Sequence, residues 1–187
     1  MRRRFRFRRE EGASLVEVSL ILPLLIILAI GLAEIGFLVI DYITVSNAAR
    51  SGARTGSSAA NATDADDLIL NVVEEAACNL RFGDLVSVTI YRPLADGSKP
   101  MVGATPDFSL TNVYTPSGPL RCRNDAHALN HDAGTWNSAG RNRVPPDFDT
   151  IGIEVVFSHT GVTGLFPFPT MEWTETAIMQ LEPDLRN

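Results

Sequence analysis

An α+β protein hung from a long N-terminal helix is what this sequence predicts. Three observations carry the prediction. Residues 18–40 form an apolar run in which Glu34 is the one charged residue, residues 64–80 repeat apolar side chains at helical spacing, and three later segments alternate apolar with polar residues.

The apolar run comes first. Its 23 residues, at 1.5 Å each, make a helix of about 34 Å, enough for a hydrocarbon core of about 30 Å. Six of the 16 basic residues precede it, as Arg2, Arg3, Arg4, Arg6, Arg8 and Arg9; with Glu10 and Glu11 they give residues 1–12 a charge of +4, leaving −10 for the rest. The arginines before the run and Asp41 after it place the N-terminus in the cytoplasm and the remainder outside. An acidic body argues against binding nucleic acid through a broad basic surface. Pro23 lies inside the helix and predicts a kink.

Beyond the bilayer the helix continues, with Ile43, Val45, Ala48, Ala49 and Ala53 on one face, until Gly56, Ser57 and Ser58 end it. The chain divides into a leader (1–12), this helix (13–58) and an outer α+β domain (59–187). A second helix starts at Thr63 or Asp64, with Asp66 and Asp67 favourable to its dipole and Leu68, Ile69, Val72, Val73, Ala76 and Leu80 on its packing face. Residues 85–91, 150–158 and 171–182 read as strands of a small antiparallel sheet. Between them, 93–148 reads as a long loop insertion rich in Gly, Pro, Asn, Asp and Ser, a place for a partner surface. Cys78 and Cys122 both fall outside the cytoplasm, where an even count favours a disulfide worth about 4 kcal/mol.

Chemistry-bearing clusters are few. Asp125, His127, His131 and Asp132 group oxygen and imidazole ligands with the histidines four apart, a weak metal candidate against the simpler reading of a polar loop. His159, at the end of a strand, reads as structural or exposed. The sequence holds no phosphate-cradling glycine loop, nucleophile elbow or zinc-finger spacing, and calls for no cofactor and no catalytic residue.

Glu17 needs a reason, since a carboxylate in the membrane costs roughly 2.5 to 3.5 kcal/mol even on insertion scales. A secretory signal cut after Gly31-Leu32-Ala33 would discard it, and an uncleaved anchor would keep it unexplained. The spacing G-A-S-L-V-E, from Gly12 to Glu17, resembles the cleavage site of type IV prepilins, which implies a cut between Gly12 and Ala13 by a membrane-embedded prepilin peptidase. Glu17, four residues on, then lies on the helix face of the new Ala13 amine.

Further elements follow in order: Pro23, Glu34 with Gly36, then Asn47, Ala49, Arg50, Gly52, Ala53 and Arg54. Together they resemble the TadE-like family, minor pseudopilins of tight-adherence (Flp-type) pili. The segments "HTGVTGLFPFP" and "ETAIMQLEP" are also similar, more weakly, to the C-terminal part of actinobacterial-type members. The resemblance implies a single-pass protein of the bacterial cytoplasmic membrane that assembles by helix packing through Glu17, Pro23, Glu34, Arg50 and Arg54. Its partners would be membrane lipid, the prepilin peptidase, and pilin or pseudopilin subunits or the assembly machinery; it would not be an enzyme. Glu34 has two readings, reaching water at the outer interface or pairing with Arg50 or Arg54 of a neighbour. The competing functions are an unprocessed, anchored binding protein of the envelope and an anchored metal-dependent hydrolase using residues 125–132.

Overall fold

A computed structural model of the chain describes residues 9–122, 127–162 and 170–183, with side chains from Ser14 onward. Its elements are α1 (Arg9–Ala59), α2 (Ala65–Ala77), β1 (Gly83–Tyr91), β2 (Met101–Val102), β3 (Thr105–Pro106), β4 (Thr111–Pro116), β5 (Leu129–Gly134), β6 (Thr150–His159) and β7 (Met171–Gln180). The main sheet has the order β5-β4-β1-β6-β7 and is antiparallel throughout, while β2 and β3 form a separate hairpin. This is the expected α+β class.

α1 holds 51 residues, with Pro23 inside, and is long and apolar enough to cross a membrane. Its two halves differ in what surrounds them. From Ser14 to Ala33 no side chain is buried, whereas from Glu34 onward one face is covered by the rest of the chain. The uncovered stretch would span about 30 Å, the thickness of a hydrocarbon core.

The upper half of α1 packs through small residues. A Cβ on Gly52 would stand 2.7 Å from Val73 of α2, and one on Gly56 would stand 2.8 Å from Ile151 of β6 and 3.0 Å from Ile69 of α2. These contacts set α2 antiparallel to α1, with residue 73 level with 52 and residue 69 level with 56. On β6 the sequence of contacts runs from His159 at Asp41 to Ile151 at Gly56, so α1 descends β6 and therefore runs along β7. Val45, Ala48, Ala49 and Ala53 meet Ile69, Val73, Val88, Ile153, Val155 and Phe157 in one buried core.

Several expectations are corrected. α1 does not end at residues 56–58; it continues to Ala59, because Gly56 and Ser57 are buried in the packing, and Ala60 turns the chain at φ 49°. Asp64 occupies the cap position of α2 but makes no side-chain cap bond. Leu68, assigned to the packing face, is 41% exposed, and Leu80 lies beyond the helix while still packing on the core. A register shift between Leu85 and Ser87 interrupts the strand's alternation, so that Leu85 is buried and Val86 is only half-buried. The stretch read as a loop insertion supplies two strands of the sheet, β4 and β5, and the β2–β3 hairpin. The expected disulfide between Cys78 and Cys122, by contrast, is present.

Candidate functional site: the anchor helix and its acidic contacts

The residues singled out in the sequence are strung along α1. Gly12 and Ala13 fall in its first turns, and Glu17 is exposed, about 24 Å below Ala33. A bilayer whose outer boundary lies at Ala33 would place Glu17 roughly one turn inside the opposite boundary.

Glu34 opens the covered half. It is buried, and its Oε2 accepts the backbone N–H of Val162 at 2.9 Å. Two turns on, Asp41 is fully buried; it accepts the N–H of Arg81 at 3.0 Å and of Phe82 at 3.3 Å, and His159 Nδ1 stands 2.9 Å from its Oδ2. Phe37, between them, packs on Phe82 with ring centroids 4.8 Å apart. The two carboxylates hold the segment before β1 and the segment after β6, which meet at one end of the sheet, against one face of the helix. Charge-assisted bonds of this kind are about twice as strong as neutral ones, and a burial as complete as Asp41's requires them.

Asp41 was legible only as an acidic residue after the apolar run. The missed signal is its spacing: Glu34, Asp41, Val45, Ala48 and Gly52 all lie on one helical stripe, so a carboxylate at 41 had to face the domain. Of two further acids, Glu74 escaped notice and Asp66 was read only as favourable to the dipole of α2. Glu74 of α2 is buried and accepts the N–H of Ala128 at 2.7 Å and that of Arg121, beside the disulfide. Asp66 accepts from Asn112 and Tyr114, each at 2.9 Å, and from Arg141, which stacks on Trp136. Burial beside Asp66 pushes the Tyr114 phenol far above its ordinary pKa.

Arg50 and Arg54 are exposed, one turn apart, on the side of α1 next to β7. Within the chain they lie far from Glu34, which is separated from Arg50 by 16 residues of helix. The weak metal candidates do not converge: His127 contacts Asp67 at 3.2 Å, His131 stacks edge-on against Tyr114, and Asp132 accepts from Thr115 at 2.5 Å, while Asp125 lies outside the described residues. No group of residues suited to a metal ion occurs among the described residues.

With this geometry in place, comparison with known families adds one finding. Residues 12–54 match the family model described as "TadE-like protein". The anchor helix is TadE-like. The matched TadE-like segment begins at Gly12, ends at Arg54 and contains Glu17, Pro23, Glu34, Asp41 and Arg50; the sheet lies outside it. No curated protein and no solved structure matches the chain.

Proposed function

We propose that this chain is a minor pseudopilin or assembly factor of a tight-adherence (Flp-type) pilus, acting by helix packing and not by catalysis. The observation that carries the reading is the TadE-like match over 12–54, which coincides with the helix that could span a bilayer and starts at the glycine of the G-x-x-x-x-E pattern.

In this reading the arginine leader holds the N-terminus in the cytoplasm, and a prepilin peptidase cuts between Gly12 and Ala13. The cut creates a cationic amine at the positive end of the helix dipole, an unfavourable placement. Glu17, one turn along the same face, neutralises that amine in its own or a neighbouring subunit and thereby fixes the axial register between helices. The domain faces outward, where it contacts pilins or the assembly machinery.

Two measurements test this. Mass and N-terminal sequence of the protein from its native membrane should give a chain beginning at Ala13. A chain beginning at Met1 would instead indicate a permanent anchor, and one beginning near Glu34 a secreted domain. Glu17→Ala should insert normally yet fail to assemble; pili formed at the wild-type level by this variant would remove the proposed role of Glu17.

A further inference from the structure

Beyond its helix, the molecule has one long strand with no further strand paired to its outer edge among the described residues. β7 is the outermost strand on the α1 side, ten residues long and paired with β6 along its whole length. Sheets normally blunt such an edge with charged side chains, proline or a bulge; residues 171–180 contain no proline, lysine or bulge, and their charges are Glu172 and Glu175 alone. Beyond the β6 ladder, the Gln180 carbonyl, bonded to the Ser57 hydroxyl at 2.6 Å, is the one β7 backbone group with a hydrogen bond among the described residues.

Beside this edge runs a groove of about 400 Å³, lined by Asn47, Arg50, Ser51, Arg54 and Thr55 of α1 and by Met179 of β7. Arg50 and Arg54 make no ion pair among the described residues. They stand about 26 and 32 Å along the helix from Ala33, several screening lengths from any headgroup at that level, so an anionic lipid is not what they meet.

We propose that the β7 edge takes an extended, acidic strand of a different polypeptide, with its carboxylates on Arg50 and Arg54. An added strand points alternate side chains to the α1 face of the sheet, level with the groove, and there carboxylates gain two guanidinium partners while the backbone completes the ladder. Symmetry disfavours a second copy. Two β7 strands paired about a two-fold axis are antiparallel, and since α1 runs along β7, that axis would invert one anchor relative to the other. Head-to-tail pairing with the opposite edge is poorly matched, because β5 has six residues and an irregular register.

The inference goes beyond the pseudopilin reading and does not depend on cleavage at Gly12; a chain starting at Met1 leaves it intact. Its test uses the full chain in detergent and two short β-prone peptides, one with glutamate at alternate positions and a twin with lysine. The glutamate peptide should bind and slow amide exchange in β7. Arg50→Glu with Arg54→Glu should weaken that binding by about tenfold or more, with an unchanged melting temperature because both positions are exposed. Equal binding of both peptides, no binding of either, or binding unaffected by the double substitution would overturn the proposal. So would a photo-crosslinker at Ile178 in the native membrane that joins only copies of this chain.

Discussion

Asp41 ties three separate parts of the chain together, since a carboxylate with no exposed surface holds the backbone N–H groups of Arg81 and Phe82 and also His159 against α1. Removing it strands those donors in the interior. Asp41→Ala is expected to cost about 3–5 kcal/mol, and Asp41→Asn about half as much, as read from chemical unfolding of the full chain in detergent. Tyr114 gives a pH dependence. Its folded pKa is raised, first by burial and then by Asp66, so the folded state keeps a proton that the unfolded chain releases near pH 10. Stability is therefore present below that pH and falls as pH rises above it, and Tyr114→Phe should flatten the alkaline slope. Little of this was legible in the sequence. The partners of Asp41 lie 40, 41 and 118 residues away, and only the tertiary fold says that an acid next to an apolar run turns inward instead of marking the interface.

The elements themselves meet through glycine. Gly52 faces a short, stiff valine, and Gly56 the flexible tips of two isoleucines, so Gly52→Ala should cost about 1–3 kcal/mol by overpacking and Gly56→Ala less. Gly36 is the control: nothing approaches a Cβ there, and Gly36→Ala should be neutral or stabilising by up to about 1 kcal/mol. Thermal unfolding of the three variants would rank them. Sequence periodicity located α1, α2, β1, β6 and β7 because each carries its own apolar pattern. β4 and β5 carry none. The sequence "TNVYTP" holds a terminal proline, and "LNHDAG" has three consecutive polar residues and a glycine at φ 112°, so both are strands only because β1 and then β4 offer a ladder to pair with. The bulge in β1 was hidden for a related reason, since shifting the core position from Val86 to Leu85 exchanges one apolar residue for another.

For the whole molecule, the disulfide and Glu74 act as two fastenings of the same segment onto α2. Cys78 and Cys122 close 44 residues of chain, and reduction should remove about 4 kcal/mol and lower the melting temperature, while Glu74 still holds Arg121 and Ala128. Thiol alkylation with and without reductant, followed by thermal unfolding, measures both effects. At this scale the sequence was most informative where it resembled a family, over the anchor helix, and least informative about the sheet, whose edges and grooves depend on which strand ends up outermost. The unbroken course of α1 also makes the bearing of that sheet a matter of counting. Each residue of helix turns the chain by 100° and lifts it by 1.5 Å, so one residue inserted between Leu28 and Ala29 would swing the β7 edge by about 100° relative to Glu17. Seven would return it to within about 20° of its original heading, about 10 Å farther from Glu17. A surface whose partner approaches from one direction would tolerate the second insertion far better than the first.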